Sequence, residues 1–597
     1  MLENIKSPRD LDGLDKNEIK TVIADIREKI TDTVSARGGH LASNLGMVEA
    51  TVALHRVFDF PNDTLIFDVG HQCYAHKLLT GRYDKFDSLR TYGGISGFTN
   101  KDESEYDTVT AGHSGSALSV GMGIAEANKL AGNDRCVVVV IGDGSFTNGM
   151  TFEALDALSD AEGIRLVVVL NDNEMSISKN VGGLSHHFSR VRAGRKYYDF
   201  KRSTEKFVGK KITSALKKIK DFAKRVAVGN TVFDSLGINF LGTVDGSDEE
   251  RLEEVFAEAK RRATCCIIHM TTKKGSGYAF AENHPDAYHS VAPFDKDKGV
   301  VSENAGFSYE FGKYMCEIAE NDASVCAVTA AMRDGTGLGG FAEKYPDRFF
   351  DVGIAEEHAA AFCSGLALGG KTPVCAVYST FAQRIFDQLI HDVSLQRAHV
   401  IFALDRAGLV SGDGTTHHGI FDVSMACAVP GIEIYSPDGY AEMRECFESA
   451  RASDKPVIVR YPKGAEQNYD RSVFSGGDIK QSCDGERETV IITYGRLTAA
   501  ALEAAEKLGN AKVIKLVKIF PIDFESLEKM CKGAKRIFVV EEGYASGGIG
   551  EKIAAKISVS DVIAIDGFVP HGDLKSLDAL LGLDACGIYE KIKKGSE

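Results

Sequence analysis

Short runs of β-branched and apolar residues recur along almost the whole 597-residue chain, each followed by an amphipathic stretch of helix length. That alternation constrains the fold strongly. A run such as Cys136–Ile141 is apolar on both faces, and helices returning over a parallel sheet are what cover both faces of a strand. The pattern predicts an α/β protein in which mainly parallel sheets are flanked by helices. It lapses into polar stretches at His284–Asn304 and at Pro462–Glu488. Read as linkers, these divide the chain into three α/β domains, at residues 1–290, 300–465 and 485–597. Predicted strands are Val137–Ile141 and Leu166–Leu170 in the first. The second has Val325–Thr329, Pro373–Tyr378, Val400–Leu404 and Val457–Arg460. The third has Val490–Tyr494, Val513–Leu516, Ile537–Val540 and Val562–Ile565.

Composition removes several classes. Hydrophobic residues at 44% and charged residues at 26% are ordinary for a globular chain and exclude a disordered or collagen-like one. The apolar runs are far too short to span a bilayer, and MLENIKSPRDLDGLDKNEIK has no secretory pattern, so no membrane partner is expected. With 70 Lys and Arg against 85 Asp and Glu, the net charge of −15 opposes nucleic-acid binding through the overall field. Thirteen cysteines, odd in number and without a C-x-x-C pair, read as small buried hydrophobes in a reducing cytoplasm. One stretch is strongly basic: Arg190–Arg225 has fourteen Lys or Arg against three acids. It reads as a solvated amphipathic helix, Ile212–Val226, with a mobile lead-in, the alternative being a cationic flap over an anionic ligand.

Three local patterns carry chemistry. The run from Cys136 ends in Gly142-Asp143-Gly144, a helix is predicted at Phe152–Leu158, and the next strand ends in Asn171-Asp172-Asn173. The thirty residues from Asp143 to Asn173 are one β-α-β crossover, which puts a carboxylate and an amide at neighbouring strand ends, where open parallel sheets bind ligands. Such a pair suits a hard divalent cation on a diphosphate, and the glycines let backbone N–H groups approach. A tight turn with an Asx-turn is the plainer alternative. Next, His40, His71 and His113 each directly follow glycine in a loop, as side chains presented into a cleft would. A zinc site is disfavoured by the lack of tight ligand spacing. Last, Phe350–His358 (FDVGIAEEH) places two acids and a histidine after a strand, with one carboxylate expected to face inward and carry a raised pKa. Glu541-Glu542 and Gly547-Gly548 read as turn and interface features.

Taken together, GGHLASNLG (Gly38–Gly46), DVGHQCYAHK (Asp68–Lys77), GHS (Gly112–Ser114), GDGSFTNGM (Gly142–Met150) and NDNEMSIS (Asn171–Ser178) resemble the 1-deoxy-D-xylulose-5-phosphate synthase family. So do DVGIAEEH (Asp351–His358), YSTFAQRIFDQ (Tyr378–Gln388), DRAGLVSGDGTTHHG (Asp405–Gly419) and RYPKG (Arg460–Gly464). The resemblance implies a transketolase-like fold and a homodimer. It also implies condensation of pyruvate with glyceraldehyde 3-phosphate, with loss of carbon dioxide, through a thiamine diphosphate ylide. Asp143, Asn173 and the Met175 carbonyl would hold Mg²⁺. His71, Gly112, His113, Ser114, Gly144, Ser145, Asn173 and Tyr278 would complete the diphosphate side of the cofactor site. Glu356 would meet the aminopyrimidine ring, with Tyr378 and Phe381 beside it. His40, His289 and His417 would handle protons or contact substrate, and Arg406, Asp413, His417 and Arg460 would bind the acceptor, the two arginines through its phosphate. The chain departs from the family pattern at Thr243 and Ser247, where G-P-x-D-G-H is usual, at Glu357 for glutamine, and at Ser411 for glycine. A transketolase, a 2-oxoacid dehydrogenase component and a non-catalytic binding paralogue remain as rival readings.

Overall fold

The computed structural model describes residues 1–173, 233, 236–300 and 305–594. Met175 and the basic stretch Arg190–Arg225 lie outside these. The chain packs as two units, Met1–Val301 and Ser302–Glu597.

The first unit is built on a five-stranded sheet whose neighbouring strands are all parallel, in the order Thr64–Phe67, Val137–Gly142, Leu166–Asp172, Cys266–Thr271, Asn239–Asp245. Its central strands are buried along their length except at Gly142, as the doubly apolar runs require. The predicted helix Phe152–Leu158 runs from Gly149 to Ser159. It starts earlier because Asn148 caps it, the side-chain oxygen accepting the Met150 N–H at 3.0 Å. Asn239–Asp245 was not legible as a strand. Gly242 sits at φ +100° there, and the register shifts between Phe240 and Thr243. The stretch from His284 is not a free linker in its first half. Gly39 and Val291 exchange backbone hydrogen bonds of 2.9 Å, and Tyr288 and Val291 are buried.

The second unit holds two sheets. The seven-stranded one runs Lys518–Phe520, Glu433–Tyr435, Val457–Tyr461, Ile401–Asp405, Thr372–Tyr378, Val325–Thr329, Phe349–Asp351, parallel except for the first. The six-stranded one runs Ser475–Gly476, Ile479–Gln481, Ala511–Leu516, Thr489–Tyr494, Arg536–Tyr544, Asp561–Ile565, its first two strands antiparallel. Every strand predicted for this half exists, displaced by a few residues at most at either end. The polar stretch Pro462–Glu488 again differs from a simple linker, because Ile479–Gln481 pairs with Ala511–Leu516. Lys518–Phe520, from beyond the third sheet's second long strand, crosses to the edge of the second sheet. One hydrophobic core accordingly runs from Val328 and Phe402 to Ile492 and Ile514 without a break between the two sheets.

Candidate active site

In the first unit Asp143 and Asn173 are joined by two further polar residues at the carboxyl ends of the parallel strands. Asp68 follows Thr64–Phe67, Asp143 follows Val137–Gly142, Asn173 follows Leu166–Asp172, and Lys274 follows Cys266–Thr271. Asp143 is buried; its carboxylate accepts the Gly144 N–H at 3.0 Å and the Asn173 N–H at 3.3 Å. Burial, with the neighbouring Asp172 carboxylate second, pushes Asp143 up to about 7, against the pull of Lys274. Burial in turn lowers Lys274 to about 8. Asp172 is itself engaged by His269 Nε2 at 2.8 Å, and His269 Nδ1 lies 3.1 Å from the Thr243 hydroxyl. Thr243, one of the departures from the family pattern, thus supports the strand end next to Asn173.

The GHS turn is held from below. Asp68 accepts the Gly115 N–H at 2.9 and 3.0 Å and the Ala117 N–H at 3.2 Å. Gly115 stands at φ +92°, and a Cβ there would meet Asn148 Oδ1 at 2.3 Å, so only glycine lets this turn lie on the cap of the next helix. Gly112, Ser114, Gly144 and Ser145 are buried beside it, and His113 is half-buried.

Asn44 joins two of the predicted histidines. Its amide donates to the His40 carbonyl at 2.6 Å and the His71 carbonyl at 2.7 Å, while its oxygen accepts the Tyr74 N–H at 2.9 Å. His40, His71 and His289 form a cluster with ring centroids 5.3–5.9 Å apart. Burial, then the positive charge of Lys274, holds His289 well below the usual histidine range, so it is neutral here. Lys274 therefore acts on both the histidine cluster and Asp143. Tyr278 immediately precedes the helix Ala279–Asn283. Its hydroxyl donates to the Lys296 carbonyl at 2.8 Å, and its ring packs against Tyr288 and Phe294. That side chain braces the turn after His289, and its hydroxyl is already committed.

The second unit gathers its predicted residues in the same way. Phe349–Asp351 leads through a short turn to the helix Glu356–Leu368. Glu356 is buried, Glu357 is half-buried and His358 exposed, as the inward-facing reading of one carboxylate requires. Burial raises the Glu356 pKa, opposed by Arg384, whose Nη1 lies 3.3 Å from Oε2. Arg384 belongs to the turn Phe381–Ile385 after Thr372–Tyr378. Tyr378 and Phe381 stack with centroids 5.7 Å apart, and His417 meets Phe381 edge-on at 5.7 Å. Arg406 lies flat on the Tyr378 ring, 3.7 Å from its centroid, at φ +61°. Its neighbour Asp405 accepts instead from the Ser308 hydroxyl at 2.7 Å. Asp413 acts on Tyr378 as a nearby negative charge.

Arg460 departs from the expected pairing with Arg406. It is buried within Val457–Tyr461, where Nε and Nη2 donate to Asp422 at 2.8 and 3.3 Å and Nη1 to Ser436 at 3.3 Å. Two of its three guanidinium nitrogens are thus engaged by a buried carboxylate, which competes with the expected contact to a phosphate. Ser247 is exposed and bonds Asp245 in a local turn.

The donor set suits a divalent cation on a diphosphate. Asp143 is a buried carboxylate crowded by another, and Lys274 relieves that crowding only in part. Among the described residues no cluster of three His, Cys, Asp or Glu is placed to hold a metal. The expected set is of another kind, with one carboxylate, one amide and the carbonyl of Met175, which lies outside them. The roles of Asn44, Asp68, Lys274 and Arg384 were not legible locally, because their partners are remote in the chain.

A sequence profile described as 1-deoxy-D-xylulose-5-phosphate synthase matches residues 2–272, followed by the transketolase pyrimidine-binding domain at 306–467 and the transketolase C-terminal domain at 477–588. The 1-deoxy-D-xylulose-5-phosphate synthase of Caldanaerobacter subterraneus is 43% identical over 99% of this chain and 98% of its own. That of Clostridium perfringens strain 13 is 42% identical over 98% of each. That of Methylibium petroleiphilum is 41% identical over 100% of this chain and 97% of its own. Among solved structures, transketolase from Campylobacter jejuni aligns with 97% of this chain at 16% identity and a TM-score of 0.43. The chain belongs to the 1-deoxy-D-xylulose-5-phosphate synthase family, enzymes of transketolase type that depend on thiamine diphosphate and a divalent metal.

Proposed function

We propose that this protein condenses pyruvate with D-glyceraldehyde 3-phosphate, releasing carbon dioxide, to give 1-deoxy-D-xylulose 5-phosphate, a precursor for isoprenoid, thiamine and pyridoxal synthesis. The observation that carries the reading is full-length similarity to synthases of that name in a chain that keeps Asp143, Asn173 and Glu356 at strand ends. Asp143 and Asn173, with the Met175 carbonyl, would hold Mg²⁺ on the cofactor's diphosphate. Thiamine diphosphate, when bound, supplies the electron sink for decarboxylation. Burial raises the pKa of the Glu356 carboxyl, which suits it to share a proton with a ring nitrogen. Neutral His289, with the His40 and His71 rings beside it, offers imidazole nitrogens that donate or accept hydrogen bonds to the reacting groups. Arg406, fixed flat on Tyr378, presents its remaining N–H groups to the acceptor phosphate, with Asp413 and His417 near its hydroxyl and aldehyde.

Self-association as a homodimer belongs to the same reading. The helix Ala117–Leu130 leaves Val120 and Leu130 exposed, and Glu356–Leu368 ends in an exposed Leu368, apolar surface of the kind that partners cover. A cytoplasmic location accords with thirteen free cysteines, and no helix among the described residues is long and apolar enough to cross a membrane. The test is product mass after incubation with pyruvate, glyceraldehyde 3-phosphate, thiamine diphosphate and Mg²⁺. Formation of 1-deoxy-D-xylulose 5-phosphate supports the reading. Turnover that requires a two-carbon ketol donor, or none without a lipoyl acceptor, would move the chain to one of its relatives.

A further inference from the structure

The third sheet contains none of the residues assigned above, yet it grips the loop that carries several of them. Its strand Arg536–Tyr544 is irregular between Val540 and Tyr544, where its pairing with Asp561–Ile565 shifts register. Two buried carboxylates sit at that irregularity. Glu541 turns to the start of the helix Ile549–Ala554, accepting N–H groups of Ile549 and Gly550 at 3.0 and 2.9 Å and the Tyr494 hydroxyl at 2.9 Å. That is a structural cap. Glu542 turns to the loop after Ile401–Asp405. It accepts the Leu409 N–H at 2.9 Å, and a Cβ on Gly408 would meet its carboxyl carbon at 2.4 Å, so the carboxylate rests on bare backbone. Arg496 fixes it from behind, donating to both Glu542 oxygens and, at 2.7 Å through each terminal nitrogen, to Asp578.

The far half of the same loop is held by a second segment of the C-terminal region. Gly412 N–H donates to the Gly572 carbonyl at 2.9 Å and the Thr415 hydroxyl to the Val569 carbonyl at 2.8 Å. His418 accepts the Val410 N–H at Nδ1 (3.1 Å) and donates from Nε2 to the Pro570 carbonyl at 3.0 Å. Gly408 and Gly419 close the loop with paired backbone hydrogen bonds of 2.8 and 2.7 Å. Arg406 lies just before this clasped segment, while Asp413 and His417 lie within it. The side chains of Arg406 and His417 pack on Tyr378 and Phe381.

We propose that Glu542 is a positioning residue for the acceptor substrate, and that Glu542 with Val569–Gly572 makes the C-terminal sheet a determinant of specificity for a phosphorylated aldehyde. Glu542 acts through the 407–418 backbone, by fixing where Arg406, Asp413 and His417 stand. This rests on the acceptor reading given above, which wild-type turnover of pyruvate with glyceraldehyde 3-phosphate tests separately. Misplacement of a binding group by about 1 Å costs on the order of a hundredfold, and smaller shifts proportionately less.

The experiment compares wild type, Glu542→Ala, Glu542→Gln and Thr415→Val in the full-length holoenzyme. Apparent KM is measured for glyceraldehyde 3-phosphate, for unphosphorylated glyceraldehyde and for pyruvate. Hydrogen exchange is followed in the peptide spanning 407–418. Glu542→Ala should raise the KM for glyceraldehyde 3-phosphate by about tenfold or more, leave that for pyruvate within about twofold, and speed exchange in the loop. Glu542→Gln, which keeps an acceptor for Leu409 N–H, should fall much closer to wild type. Thr415→Val removes a single hydroxyl and should show the same split in milder form, with the fold intact. Equal losses for all three substrates, or faster loop exchange with no change in the KM for the phosphorylated acceptor, would overturn the proposal.

Discussion

At the scale of single residues, burial decides protonation, and protonation decides what each group does. Burial raises the pKa of the Glu356 carboxyl, and Arg384 opposes that rise. Glu356→Ala should leave a folded protein that still binds cofactor, with proton exchange at the cofactor's reactive carbon slowed about 10²–10⁴-fold. Exchange followed by NMR at wild-type speed would pass the role to Glu357. A second buried group carries a stability prediction. His55 Nε2 meets His76 Nδ1 at 3.0 Å, and His76 Nε2 meets Asp107 at 2.8 Å, all three buried. Burial lowers both histidines from 6.5, His55 strongly, so the unfolded chain binds protons that the folded one refuses. The stability these neutral rings contribute is present above pH 6.5 and lost as the pH falls toward their folded values. His55→Gln should flatten that acid limb by about one proton in denaturation curves measured across pH. An unchanged slope would mean that His55 is charged in the fold.

At the scale of elements, polar clamps between remote segments fix the loops. Asp68 receives two backbone N–H groups, those of Gly115 and Ala117, the first shared between both its oxygens. Asp68→Ala strands at least two buried donors and should cost about 1–3 kcal/mol in stability together with weaker cofactor binding. Unaltered affinity with reduced stability would show that the turn takes no part in holding the diphosphate. The same scale explains what the sequence disclosed. Val137–Gly142, Leu166–Asp172 and Val325–Thr329 are apolar on both faces, so their runs are strands wherever they are read. Lys518–Phe520 and Ile479–Gln481 are three residues long and partly polar, and tertiary pairing alone makes them strands. Asp143 and Glu356 were legible because glycine and strand context lie within a few residues of them. Asn44, Arg384 and Glu542 were not, since Glu542 meets Leu409 133 positions away and nothing local to it signals that contact. The Arg460–Asp422 pair was not legible for the same reason, because Asp422 lies 38 residues off.

At the scale of the whole molecule, the three sheets do not have equal independence. The cores of Met1–Val301 are its own, whereas the second and third sheets share one. Lys515 also sits buried between Asp438 at 2.6 Å and Glu442 at 2.8 Å, tying the third sheet's strand to the second sheet's margin. A fragment of residues 302–597 should therefore melt cooperatively, while one of residues 302–470 should not, having lost apolar cover and left buried carboxylates unpaired. Circular dichroism melts of the two fragments decide this, and a cooperative transition in the shorter one would contradict a shared core. In the proposed site Asp143 anchors a metal-held diphosphate. Calorimetric titration of thiamine diphosphate, with and without Mg²⁺, into wild type and Asp143→Ala measures that role. Wild type should bind in a Mg²⁺-dependent way and the variant, still folded, should lose that binding; equal affinity in the two proteins would remove Asp143 from the metal site.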